Sequence, residues 1–235
     1  MFKPLTLTTA LLLALSAHPS PSPPERLVRV YGELETATRI AVIVPGSDTR
    51  VATFEQATHR PGGAARALLA EAGALSPGVR LAVVAWLGYD SPATFSTDVL
   101  TDTAARRGGT ALRTYLRSLP QVPITLVCHS YGSVVCAQGA PGARVDELAV
   151  IGSPGLGDPP GALPRLWAGR GLNDWVRFVP GVRLGPLGFG TDPMHTGHVF
   201  ETGPGGHSDY FNSGTPSLRN LALITLGRTA EVSRG

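Results

Sequence analysis

The chain carries little charge: its 20 basic and 17 acidic residues make up 16% of the 235 positions and leave a formal net charge of +3. The small arginine excess is scattered, and no basic run of the kind that tracks phosphates exists, which argues against nucleic-acid binding. Cysteine is scarcer. Cys128 and Cys136 are too few for a disulfide framework and lack the spacing of metal ligands, so neither a metal nor an organic cofactor is expected. Aromatic residues amount to 6%, too few to name a specificity. Beyond Ala17 no apolar stretch is long enough to cross a bilayer. Repeats are absent. The glycine-rich segment Gly152-Ser-Pro-Gly-Leu-Gly157 has no Gly-Lys-Ser/Thr ending and no strong helix after it, which argues against a phosphate loop.

What is present is glycine (29), proline (21) and 43% hydrophobic residues, a loop-rich globular composition at a length that suits one domain. Lys3, the apolar run Leu5 to Ala17 and the helix-stopping His18-Pro-Ser-Pro-Ser-Pro-Pro24 read as a secretory leader and spacer over residues 1–24. The domain then covers 25–235, and the leader implies export or association with the cell envelope, with a membrane close by. The small residues Ala14, Ser16 and Ala17 offer only a poor cleavage site. An exported chain meets oxidising conditions, but Cys128 and Cys136 lie on a strand end and on the helix after it, where the geometry need not join them; two buried free thiols are expected.

Buried strands alternate with helical patterns along the domain. Arg26 to Tyr31 reads as an edge strand, and Arg39 to Val44, Leu81 to Trp86, Ile124 to Val127 and Val145 to Ile151 as buried ones, with a shorter strand over Leu163 to Ala168. Helices are predicted over Pro61 to Gly73, over Asp102 to Leu119 with a weak middle at Gly108-Gly109, and over Thr215 to Leu226, where Thr215 caps, Pro216 opens and Gly227 stops the helix. The alternation predicts an α/β fold, a mostly parallel central sheet flanked by helices on both faces. The turn-dense stretch from Trp175 to Glu201 reads as an excursion over the active face, and Gly181 to Gly206 as the segment that shapes the pocket.

Chemistry concentrates at Cys128-His-Ser-Tyr-Gly132, between the strand 124–127 and the small residues from Ser133 to Gln138. A strand, a tight turn and a helix around a G-x-S-x-G-like sequence present a serine hydroxyl at the carboxyl end of a sheet. Such a turn strains its central residue and leaves room only for small neighbours; Gly132 complies, and Cys128 stands where glycine is usual. A serine needs a base to take its proton and an acid to orient that base, in the chain order Ser, acid, His. His18 and His59 precede the serine, and His129 leaves the turn in a different direction. His207, in a flexible loop directly before the last helix, is the best-placed base, with His195 and His198 at the pocket mouth or exposed. Asp174, after the short strand, is the chosen acid; Asp192 is the alternative, and Asp209 lies too close to His207 in sequence. The backbone N–H of Tyr131, with that of Gly46 or Ser47 after the strand 39–44, would receive an oxyanion.

The phrases Val44-Pro-Gly-Ser47, Ala85-Trp-Leu-Gly-Tyr-Asp90, Cys128-His-Ser-Tyr-Gly-Ser133, Val150-Ile-Gly-Ser-Pro-Gly-Leu-Gly157, Asp174-Trp-Val-Arg-Phe-Val-Pro180, His207-Ser-Asp-Tyr-Phe211 and Ser217-Leu-Arg-Asn220 resemble an actinobacterial α/β-hydrolase family of unknown function, similar to the cutinase and lipase-like branch. The resemblance extends over nearly all of Tyr31 to Gly227. It implies the α/β-hydrolase fold and a serine hydrolase triad carried onto Ser130, Asp174 and His207, and supplies no substrate; the expected one is a small ester or a lipid-like molecule. Two other readings share the fold: a catalytically degenerate binding protein, and an acyltransferase using the same triad.

Overall fold

The computed structural model describes residues 26–183 and 187–235, so the expected leader lies outside the described residues. Seven strands form one sheet in the order β1-β3-β2-β4-β5-β6-β7. β1 (Leu27–Tyr31) runs antiparallel to β3 (Leu81–Leu87) at one edge. β2 (Arg39–Val44), β4 (Ile124–His129), β5 (Glu147–Ile151), β6 (Arg165–Gly169) and the short β7 (His198–Val199) are all parallel to it. The central strands are covered on both faces, which is why they read as continuous apolar runs rather than as alternation: every residue of β3 and of β5 is buried. β1 has one face in solvent and exposes Val28 and Val30.

The helices pair off on either side of the sheet. α1 (Pro61–Leu75) packs with α4 (Pro216–Thr225), and α2 (Thr103–Ser118) packs on α3 (Gly132–Gly139). α1 runs past Gly73 because its stop is Ser76, the residue before Pro77, held at φ −145° and ψ 80°, outside the helical region that a following proline disfavours. Thr215 Oγ1 accepts from the Leu218 N–H, the expected cap of α4. The glycine pair that weakens α2 in the sequence serves the packing: a Cβ on Gly109 would stand 2.5 Å from Gln138 Cβ, so α2 approaches α3 more closely than any side chain there allows.

Parallel register brings the carboxyl ends of the strands level. Val44 pairs with Cys128, His129 with Ile151, and Ile151 with Gly169. The loops that follow these strands therefore leave the sheet together, and one end of the molecule collects the residues after Val44, His129, Ile151 and Gly169. Open parallel sheets bind ligands at this edge.

The two cysteines do not remain free thiols. Cys128 and Cys136 form a disulfide with their Cα atoms 6.5 Å apart. The bend after β4 is so tight that α3 returns beneath the strand end within one turn, which brings Cys136 within disulfide reach of Cys128. Both are fully buried. Replacing Cys136 with alanine should lower the unfolding free energy by about 2–3 kcal/mol, the chain-entropy value for so short a loop. Urea titration of the oxidised protein checks this; an unchanged midpoint would mean that the bridge contributes nothing.

Candidate active site

Ser130 sits on the bend between β4 and α3 at φ 54°, in the left-handed region that a residue with a side chain rarely enters. Its N–H donates to Ile151 O at 2.9 Å and its carbonyl accepts from the Ser133 N–H at 2.9 Å, so backbone bonds on both sides hold the strained residue. The space around it admits only glycine at two places. A Cβ on Gly132 would stand 2.5 Å from the carbonyl oxygens of Val44 and Pro45, and one on Gly46 would stand 2.6 Å from Ser130 Cβ. Cys128 fits where glycine is usual because its side chain turns into the disulfide beneath the bend.

Three side chains from separate loops meet above this bend. His207 Nε2 lies 2.9 Å from Ser130 Oγ, and His207 Nδ1 lies 2.9 and 3.0 Å from the two oxygens of Asp174. An ionised carboxylate can only accept, so Nδ1 carries the proton and Nε2 is left to accept from the serine hydroxyl. Asp174 follows β6, is fully buried, and opens a 3-10 turn by accepting from the Val176 N–H at 2.8 Å. Its second oxygen accepts the Tyr210 hydroxyl, which itself accepts from the Gly171 N–H at 3.1 Å. Burial alone would raise the Asp174 carboxyl. The hydrogen bonds from His207, Tyr210 and Val176, with the attraction of the His207 ring, outweigh burial and hold it below the ordinary carboxylate range.

The loop after β2 is fixed from behind. The Tyr89 hydroxyl donates to Pro45 O at 2.7 Å, and Ser91 Oγ and Thr49 Oγ1 donate to Gly46 O at 2.8 and 2.9 Å. A trans peptide points its N–H opposite its C=O, so the Ser47 N–H faces away from these donors. Among the described residues, the N–H groups of Ser47 and Tyr131 donate to no protein acceptor. Tyr131 is held by its side chain, whose hydroxyl donates to Thr101 O at 2.7 Å and accepts from the Ala105 N–H at 3.2 Å.

Other candidates lie elsewhere. Asp192 is bound by Arg170 at 2.5 Å and caps its own turn through the Met194 N–H, and Asp209 accepts from the Gly206 N–H at 2.8 Å. Neither touches His207. His195 and His198 are exposed and line no part of the cleft, His198 packing instead on Trp167 at the sheet edge.

The cleft over Ser130 has a volume of about 470 Å³. Its apolar wall comes mainly from Val99 and Leu100, which follow β3, and from Trp175, Val176 and Val179, while Asp48, Thr49, His59 and Arg60 supply a polar side. Here the structure corrects the sequence reading. Of the described residues in 181–206 only Phe189 reaches the cleft: Arg183, Leu187, Gly188 and Phe189 are tied to Asp102, Thr101, Leu100 and Gly157, and His198 and Val199 pair with β6 at the sheet edge. The usable signal was Phe95, Val99 and Leu100, isolated apolar residues in a short stretch otherwise rich in Ser, Thr and Asp. Among the described residues no group of His, Cys, Asp and Glu could hold a metal, and no helix is long and apolar enough to cross a membrane.

A family model described as alpha/beta hydrolase matches residues 21–184. The chain belongs to the alpha/beta hydrolase family. The matched segment holds Ser130 and Asp174, and His207 lies beyond it. This alpha/beta hydrolase is 28% identical over 244 residues to an uncharacterized protein of Mycobacterium tuberculosis, across 86% of the chain but only 37% of that relative. It is 31% identical over 169 residues to an uncharacterized protein of Mycobacterium bovis, across 62% of each. The chain thus spans less than two thirds of the length of either relative. Among solved structures it is similar in fold to esterase PE8, with a TM-score of 0.56 and 12% identity over 86% of the chain and 99% of that structure. The Est1E structure from Butyrivibrio proteoclasticus, with ferulic acid bound, gives a TM-score of 0.53 and 10% identity over 86% and 96%.

One residue beside the serine does more than sequence reading gave it. The His129 ring does not leave the site; it packs against the rings of His207 at 4.6 Å and Tyr210 at 5.8 Å. Burial, with His207 beside it, pushes its imidazole down to about 3 from an ordinary 6.5, and the titratable groups around it are His207, Tyr210, Asp174 and His59. The folded state therefore keeps His129 neutral where the unfolded chain protonates it. The unfolded state binds more protons between these two values, and stability contributed by this group falls as pH drops through that window. On going from about pH 7 to about pH 4, the thermal midpoint of His129→Gln should fall less than that of the wild type. Parallel loss in the two proteins would show that His129 titrates normally when folded.

Proposed function

We propose that this alpha/beta hydrolase is a serine hydrolase that cleaves an ester through an acyl-enzyme. The observation that carries the reading is the single imidazole of His207 within hydrogen-bond reach of both Ser130 Oγ and the buried carboxylate of Asp174. In this reading Ser130 Oγ attacks the ester carbonyl carbon while His207 Nε2 takes its proton. Asp174 stays ionised and steadies the imidazolium. The N–H groups of Tyr131 and Ser47, which donate to no protein acceptor among the described residues, receive the oxyanion, and the pinned Gly46 carbonyl keeps the Ser47 donor from reorienting. Collapse of the intermediate expels the alcohol with the proton from His207. The same base then takes a proton from water, which attacks the acyl carbon and returns free Ser130 and a carboxylic acid.

The cleft supports a substrate with one apolar arm. Val99, Leu100, Trp175, Val176, Val179 and Phe189 form a wall suited to an acyl chain, with a polar wall opposite. The departure at Cys128, which would favour a catalytically degenerate protein, has a structural cause in the disulfide and gives that alternative no support. The same disulfide favours an oxidising compartment, in keeping with an exported protein.

Turnover of p-nitrophenyl esters tests the reading. Ser130→Ala and His207→Ala should abolish it, and Asp174→Asn should lower kcat by about 10⁴-fold, as expected when the base is left in the wrong tautomer. For the wild type, kcat/KM should rise by up to about fourfold for each methylene that the cleft buries, then level off. Turnover that persists in Ser130→Ala would end the proposal.

A further inference from the structure

We propose that His129 is a positioning residue for His207, tying the loop that carries the base to the bend that carries the nucleophile. The inference rests on the hydrolase reading and adds to it a residue with no part in the proton transfers.

His129 Nε2 lies 2.8 Å from the backbone carbonyl of His207. A carbonyl only accepts, so Nε2 must carry the proton and donate. Among the described residues this is the one hydrogen bond from the bend to the backbone of the base loop. The loop needs such a tie because Gly203, Gly205 and Gly206 precede His207, and glycine leaves backbone freedom that other residues remove. Its other bonds are internal, the Gly206 N–H donating to Asp209 at 2.8 Å, or leave from beyond His207, Thr58 Oγ1 donating to Asn212 Oδ1 at 2.7 Å; the glycine-rich part before His207 is otherwise anchored to the acid loop. The N–H groups of Leu172 and Asn173 donate to Gly203 O and Gly205 O at 3.2 and 3.3 Å, and Asn173 Nδ2 donates to Pro204 O at 2.6 Å. Acid and base loops are thereby zipped to each other, and His129 joins the pair to Ser130.

Position and charge both suit the task. His129 immediately precedes Ser130 and belongs to β4, so the base loop cannot shift relative to the hydroxyl without breaking a bond made by the nucleophile's own neighbour. The His207 ring has two ring neighbours, His129 at 4.6 Å and Trp175 at 4.8 Å, and Trp175 is half in solvent, which leaves His129 as the firmer of the two. During catalysis His207 becomes an imidazolium, and a second positive charge at that distance would oppose it. Burial keeps His129 neutral, so it can hold the base without repelling the charged form.

Steady-state kinetics of the purified full-length chain on p-nitrophenyl butyrate tests the tie, with Ser130→Ala as the blank. Misplacement of a catalytic group by about 1 Å costs on the order of 10²-fold, so His129→Leu should lower kcat by about ten- to a hundredfold. KM should stay within about twofold, because His129 borders the cleft beside Ser130 but supplies none of its apolar wall. His129→Gln, whose amide nitrogen reaches the position of Nε2, should recover most of the loss. Wild-type kcat in His129→Leu, or a Gln variant no better than Leu, overturns the inference while leaving the hydrolase reading intact. Should circular dichroism show His129→Leu unfolded, His129→Asn, whose amide falls short of the carbonyl, replaces it with the same expectation. A wild type without ester turnover, or an active Ser130→Ala, overturns the hydrolase reading and this inference with it.

Discussion

The sharp bend at Ser130 is the constraint on which the rest depends. Holding a non-glycine residue at φ 54° costs on the order of 1–3 kcal/mol, and such conformations persist only where the surroundings leave no alternative. Here those surroundings can be named. β4 pairs on one side with β2 and on the other with β5, and the next strand supplies the carbonyl of Ile151 that holds the Ser130 N–H. The glycines at 46 and 132 leave the only space through which the loop after β2 and the start of α3 can pass. The disulfide then joins the end of β4 to α3 directly beneath the bend.

From that bend outward, each layer of the site is fixed by the one behind it. Asp174 is buried, yet it remains a carboxylate because His207, Tyr210 and the Val176 N–H supply the hydrogen bonds that water would have given. Tyr89, Ser91 and Thr49 hold the carbonyls after β2, and the stacked rings of Trp86, Tyr89 and Tyr131 link that loop to the bend. Dipoles set in advance need no reorganisation when charge develops, which is where an acyl-transfer site gains most of its effect. The cleft walls lie on short turns rather than on the sheet, so they can vary without disturbing the bend.

The sheet was legible in the sequence because its central strands are buried on both faces and so appear as unbroken apolar runs, and α4 because Thr215, Pro216 and Gly227 mark its ends. The residues that meet above the bend followed from chain order: Ser130, then Asp174 after a strand, then His207 in a glycine-rich loop before the last helix. What stayed hidden depends on contacts between segments far apart in sequence, or on the path of the chain after the bend. Cys128 and Cys136, eight positions apart on a strand end and on the helix after it, show no reason to meet until α3 doubles back. The glycines at 108 and 109 look like a defect in α2 until α3 is packed against it. His129 looks like a bystander because nothing local shows that the carbonyl of His207 will arrive within 2.8 Å of its ring. The apolar residues at 95, 99 and 100 are too few to mark an element, and two of them line the wall from a single 3-10 turn over Thr97–Leu100.

The most direct measurement is mass spectrometry of the chain after exposure to a fluorophosphonate, with the adduct located by peptide mapping. A hydroxyl made nucleophilic by the bend and by His207 predicts one phosphonyl group per chain, carried on Ser130. An unmodified protein, or an adduct on any other residue, would contradict the account.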